Sequence, residues 1–222
     1  MKESVTANAH SPSAQAGGGG QTAAKLKVGR TYKVRVRYKD SSGRWSHWSN
    51  PESFKAILAK NQNTKNIVIN EVNYNPAIEC GSEFIEIFNN ENTTVSLDNY
   101  AFSDGISYQF PAGSIIGANS FLVIAKDSLE FTQKYGFAPF GDYSSSLSNG
   151  GEQIVLEGPY GTLVNYFTYS DDAPWNPLPD GTGATLSLAN PTLNNSSAAN
   201  WTASKDNCGT PGSENNICNN FI

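Results

Sequence analysis

Residues 67–222 of this chain contain neither arginine nor histidine. The missing histidine removes the side chain that usually serves as a base near neutral pH. The two histidines that exist, His10 and His47, fall in a polar tail and a short hairpin, where neither can be held beside a nucleophile. Ser-His-Asp and Cys-His catalysis are therefore excluded. A structural zinc site is excluded by the same shortage and by the lack of any C-x-x-C. The missing arginine is part of a wider asymmetry. Residues 1–66 carry twelve Lys/Arg and three acids, net +9, whereas residues 67–222 carry three Lys and seventeen acids, net −14. Nucleic-acid affinity comes chiefly from cations that displace phosphate counterions, so nucleic acid is not an expected partner of the acidic block.

Long apolar runs are also missing. No stretch approaches the ~18 residues of a membrane-spanning helix, so membrane insertion is not expected. The first twenty residues lack the apolar core of a signal peptide, and the chain reads as a soluble, excised or mature piece. Charged residues make up 16% and apolar residues 38%, with Asn, Ser, Thr and Gly prominent in the remainder, which suits an extracellular β protein. "GGGG" at 17–20 is not followed by Lys-Ser/Thr and is a linker, not a phosphate loop. The three cysteines leave an odd count. Cys208 and Cys218 lie close in a Gly/Asn-rich tail and are the favoured disulfide, with Cys80 bonded to either, or three free thiols, as alternatives.

Residues 1–24 are too poor in apolar side chains to order themselves and read as a disordered tail or linker. "TYKVRVRYKD" then alternates, with Tyr32, Val34, Val36 and Tyr38 on one face and Lys33, Arg35, Arg37 and Lys39 on the other. That is a half-buried strand; "SSGR" is a turn, and "WSHWSNPESFKA" is an irregular second strand completing a hairpin. Residues 26–56 resemble the last third of a fibronectin type III module, and W-S-x-W-S (Trp45, Ser46, Trp48, Ser49) is similar to the box of cytokine-receptor modules. The resemblance implies a ladder in which Arg35 and Arg37 stack on Trp45 and Trp48. Two strands cannot close a sandwich, so residues 25–57 are expected to be a fibronectin fragment, followed by a linker at 58–66.

From residue 67 onward short strands alternate with turn residues. "IVINEVNYNP", "SEFIEIFNN", "SFLVIAKD", "EQIVLEG", "TLVNYFTYS" and "ATLSLAN" are strand-like, Asp104-Gly105 and "GPYG" join hairpins, and "DSLEFTQKYG" is one short helix capped by Asp127 and stopped by Gly136. In "EFIEIFN", Phe84, Glu86 and Phe88 share one face and Ile85 and Ile87 the other, as in a central strand buried on both sides. Many short strands with little helix imply an all-β sandwich. The landmarks "INEVNYNP", "EFIEIFN", "LDNYAFSD", "SLSNGGEQIVLEGPYGTLVNYFTYSD" and "NWTASKDNCGTPGSEN", in this order, resemble the lamin tail domain family in its bacterial branch. The resemblance implies an immunoglobulin-like β-sandwich over 67–216, with 217–222 as a tail.

Three sets of residues could carry chemistry. Glu71, Glu83 and Glu86 could serve a carboxylate-based hydrolase if they lined an open cleft, but local hydrogen bonding is the favoured role. Asp171, Asp172 and Asp180 form a weak calcium site, without the D-x-D-x-D-G loop that would order it; calcium is the one cofactor left open. Tyr160, Tyr166 and Trp175 would be the ligand-facing aromatics of a carbohydrate-binding accessory module, while Trp175 and Trp201 as apolar plugs is the favoured alternative. No catalytic residue is assigned and no enzyme is expected. The resemblance implies an adhesion, docking or spacer module of a larger secreted or cell-surface bacterial protein. Its partners would be other domains of that protein, a surface protein or a polysaccharide. The oligomeric state is left open.

Overall fold

The computed structural model describes residues 8–10, 30–55 and 67–218, and the chain divides into two units, Met1–Lys60 and Asn61–Ile222. In the first unit, the alternating stretch forms β2 (Thr31–Arg35), flanked by β1 (Asn8–His10) and β3 (Glu52–Lys55) in an antiparallel sheet of order β1-β2-β3. Strand β1 corrects the expectation that residues 1–24 are all unstructured: Asn8 pairs with Arg35 and His10 with Lys33. Strand edges accept any extended segment through backbone groups alone, so composition could not reveal it.

The tryptophan-serine repeat does not continue the expected second strand. Ser46 N–H donates to Tyr38 O at 2.8 Å while its Oγ accepts from Tyr38 N at 2.9 Å. Ser49 repeats this with Val36, at 2.8 Å and 3.0 Å. Each serine thus offers a side-chain oxygen where a strand would offer a carbonyl, so the edge of the strand is satisfied without regular pairing. That explains why serine follows each tryptophan.

The second unit is a sandwich, whose strands are β4 (Ile67–Asn73), β5 (Phe84–Asn89), β6 (Val95–Ser96), β7 (Ala101–Asp104), β8 (Tyr108–Gln109), β9 (Ile115–Ile116), β10 (Phe121–Ala125), β11 (Gly141–Asp142), β12 (Gln153–Glu157), β13 (Leu163–Thr168), β14 (Leu186–Leu188) and β15 (Trp201–Ala203). They form a six-stranded sheet of order β11-β10-β5-β4-β14-β15, a four-stranded sheet of order β13-β12-β7-β8, and the small pair β6-β9. The core between the layers draws Ile69, Val72, Ile85, Ile87, Ile124 and Leu186 from the first sheet and Phe102, Ile154, Leu156 and Phe167 from the second. Fully burying each such side chain contributes about 1.5–3 kcal/mol. Trp201 is buried, with its ring stacked on Phe167 at 4.3 Å between centroids.

The outer face of the large sheet is covered as well. Helix α1 (Ser128–Tyr135) begins where Asp127 Oδ1 accepts from Glu130 N at 2.9 Å and ends at Gly136, whose φ of 78° is left-handed. It sets Phe131 and Tyr135 on Phe84, Val123 and Ala125, a second small core. Beyond β15 the chain leaves the sheet at Ser204 and returns at Ile217, which bridges Ser204, while Cys218 N–H donates to Ala203 O at 3.3 Å. Order therefore extends past the expected limit at residue 216.

That excursion corrects the disulfide. The bond joins Cys80 to Cys208, with Cα atoms 5.1 Å apart, and Cys218 is free. Proximity in sequence was a poor guide, because the excursion carries Cys208 across the outer face to the short 3-10 turn Ile78–Cys80, while Cys218 is held back at the sheet beside β15. Cys208 N–H donates to Gly183 O at 2.6 Å, which fixes the crossing point.

Candidate functional site

The strongest concentration of chemistry lies under the excursion. Strand β4 carries an irregularity between Ile69 and Glu71, so that Ile69 faces Ile87, Glu71 faces Glu86 and Val72 faces Ile85. One extra residue on β4 turns both Asn70 and Glu71 away from the core, as a β-bulge does. Two carboxylates are thereby placed directly opposite each other on adjacent strands, both fully buried.

Their hydrogen bonds explain how they are tolerated. Glu71 Oε1 accepts from Thr185 Oγ1, from Thr210 N at 3.1 Å and from Ser187 Oγ at 3.5 Å. Glu86 Oε1 accepts from Asn70 Nδ2 at 2.9 Å and its Oε2 from Gly212 N at 2.6 Å. Glu71 Oε2, both amide atoms of Asn73 and Thr210 Oγ1 are buried without a hydrogen-bond partner. Among the described residues no Lys, Arg or His forms an ion pair with either carboxylate. Burial pushes the Glu71 carboxyl up to about 7 against its hydrogen bonds from Thr185, Thr210 and Ser187. Burial first, then the neighbouring Glu71 charge, raises Glu86 well above the ordinary carboxylate range.

Glu83 belongs elsewhere. It pairs with Lys126 Nζ at 2.8 Å and accepts from Leu147 N at 2.8 Å and from the Tyr143 hydroxyl at 3.3 Å. Of the three glutamates, then, two meet and one anchors a distant loop. The sheet below and the excursion above seal the pair, so the open cleft that a hydrolase needs is not formed around it. Pairing across strands with a bulge was invisible in sequence, where Glu71 and Glu86 share no spacing motif.

The remaining candidates are dispersed. Asp180 accepts from Asn75 Nδ2 at 2.6 Å, and Asp171 from Ser170 Oγ at 3.5 Å. Among the described residues no three His, Cys, Asp or Glu gather as a metal would require, so Asp171, Asp172 and Asp180 do not form the weak calcium site that the sequence left open. Short polar side chains met their demands locally instead. Trp175 is half-buried, its ring 6.0 Å from Phe167 and 6.4 Å from Trp201. It lines a cleft of about 310 Å³ with Pro174, Pro177 and Trp201. Tyr166 is half-buried on β13, and the Tyr160 side chain lies outside the described residues. In the first unit the Arg37 guanidinium lies 4.2 Å from the Trp45 ring centroid and 4.5 Å from that of Trp48, with Arg35 5.8 Å from Trp48 and Lys39 5.4 Å from Trp45.

Sequence reasoning missed a buried asparagine pair. Asn165 Oδ1 on β13 accepts from Ile69 N at 3.0 Å and from Asn195 Nδ2 at 2.5 Å, and Asn195 O accepts from Trp201 Nε1 at 2.7 Å. The pair joins the two sheets where β14 no longer accompanies β4. Its only signal was a polar residue inside "LVNYFTY", in a position that alternation marks as buried.

The two packed sheets define an immunoglobulin-like β-sandwich with a sealed outer face. The lamin tail domain model matches residues 60–171, and the chain belongs to that family. The matched stretch ends before β14, β15 and the disulfide-bonded excursion, which complete the large sheet and cover it. A DUF4876 family protein of known structure from Bacteroides thetaiotaomicron VPI-5482 is similar over 74% of this chain and 60% of that one, at 13% identity and a TM-score of 0.31. This chain thus spans less than two thirds of that protein's length. No curated protein matches the chain.

Proposed function

We propose that the chain is a non-catalytic docking, adhesion or spacer module of a larger secreted or surface-attached bacterial protein. The observation that carries this reading is the sealing of Glu71 and Glu86: the side chains best suited to chemistry are fully buried and hold the C-terminal excursion to the sheet. A disulfide tying residues 128 apart in sequence supports residence in an oxidising compartment. Residues 30–55 are read as the end of a fibronectin type III module, which the Arg37 stack and the paired serines support. Partners on this reading are neighbouring domains, a surface protein or a polysaccharide. The test is a binding panel of bacterial surface polysaccharides and envelope proteins with the full chain, run beside a panel of glycoside and ester substrates. Saturable binding without turnover is expected. Turnover that is lost in Glu71→Gln or Glu86→Gln would overturn the reading.

A further inference from the structure

The excursion from Cys208 to Asn216 crosses the outer face of the large sheet as a strap. Its root is covalent, through Cys80–Cys208, and is steadied by the Tyr135 hydroxyl, which donates to Cys208 O at 2.7 Å. Its far end is held by Asn215, whose Nδ2 donates to Asn70 O at 3.1 Å and to Leu188 O at 2.9 Å. Between these ends the strap touches the sheet through two backbone donors: Thr210 N–H to Glu71 and Gly212 N–H to Glu86. Packing there leaves no slack, because Gly209 has a φ of 73° and a side chain on it would strike Glu71 Oε1 and Thr185.

We propose that the facing pair Glu71–Glu86 is a proton-operated clasp that fastens this strap to the outer face of the sandwich and lets it lift as the second carboxyl ionises, while Cys80–Cys208 keeps its root attached. The geometry requires a neutralising proton. Two like charges directly opposite on adjacent strands repel, and in a dry site nothing screens them. Among the described residues, the groups facing the pair offer no positive charge. From β10 comes Val123, paired with Glu86; from β14 Ser187, paired with Glu71, and beside it Thr185; from α1 Tyr135, whose own ionisation the Glu71 charge opposes after burial. The strap's own charged residue, Glu214 near its end, is exposed, as are Lys205 and Asp206 just before the strap.

The N–H bonds from Thr210 and Gly212 favour the ionised carboxyls, but burial, and for Glu86 the facing charge, outweigh them, so the clasped state holds protons more tightly than the open one. For Glu71 the clasp is at full strength below the ordinary value of 4.5 and weakens as pH rises to about 7, with Glu86 extending the loss in the same direction. Opening would free the 209–215 backbone and wet both carboxylates without unfolding the sandwich, because its core faces the other way.

The test is native-state hydrogen exchange on the oxidised full chain, with protection factors of the Thr210 and Gly212 amides compared with those of β5. Between about pH 5.5 and pH 8.5 the strap's protection should fall at least about tenfold relative to β5. In Glu71→Gln and Glu86→Gln that selective fall should shrink or vanish. Strap and β5 protection moving together, or an unchanged selective fall in both variants, would overturn the proposal. The wild-type comparison decides alone if a variant fails to fold.

Discussion

Removing Cys80–Cys208 should be the most damaging covalent change available to the second unit. The bond spans 128 residues, and a crosslink restricts the unfolded chain more as the loop it closes lengthens, so loop closure alone is worth about 5 kcal/mol. A bond between Cys208 and Cys218, only ten residues apart, would be worth about 3 kcal/mol on the same reasoning. For a domain of this size, 5 kcal/mol corresponds to a fall in melting temperature of roughly 10–20 °C. The Cys80→Ala/Cys208→Ala double variant avoids leaving a lone buried thiol and should show that fall by differential scanning calorimetry. Cys218→Ser should change stability by less than about 1 kcal/mol, since its Sγ makes only a 3.9 Å contact with Ser204 O. Peptide mapping without reduction should recover Cys80 joined to Cys208. A Cys208–Cys218 peptide, or a double variant within about 1 kcal/mol of wild type, would refute the reasoning.

Other outcomes follow from the same structure. Asn165→Ala strands the buried Ile69 N–H and should destabilise by about 1–3 kcal/mol in urea titration, whereas Thr168→Ala on the exposed face of the same strand should not. Gly209→Ala combines a left-handed φ with a collision against Glu71 and should cost about 2 kcal/mol or more, read as a lowered thermal midpoint. Glu71→Gln should flatten the pH dependence of unfolding. A carboxyl held near 7 when folded and near 4.5 when unfolded makes the wild type lose about 3 kcal/mol as pH rises through that interval, a loss the amide cannot show. Arg37→Ala should weaken the near-ultraviolet dichroism of Trp45 and Trp48 and destabilise the small sheet by about 0.5–2 kcal/mol.

Local features carried much of the fold. Asp127, Glu130 and Gly136 marked the helix because caps act within one turn of chain. Alternation in Phe84–Phe88 set Ile85 and Ile87 on one face and Phe84, Glu86 and Phe88 on the other, both buried, because side chains in a strand point to opposite sides in turn; that the isoleucines face the inter-sheet core appeared only in the structure. The resemblance carried by the tryptophan-serine repeat implied the stacking arginines, while the pairing of each serine with a backbone group appeared only in three dimensions.

What the amino-acid order determined by itself was therefore the class of the fold, the positions of its turns and helix, and the lack of arginine and histidine from residue 67 onward. The tertiary structure alone decided that Glu71 meets Glu86, that Cys80 rather than Cys218 takes Cys208, and that the chain's end closes over the sheet. Those pairings join residues brought together by a bulge and a long return of the chain. The energy of the glutamate pair comes from burial and mutual charge, which exist only once the strands stand side by side, and that of the disulfide from the length of chain it closes.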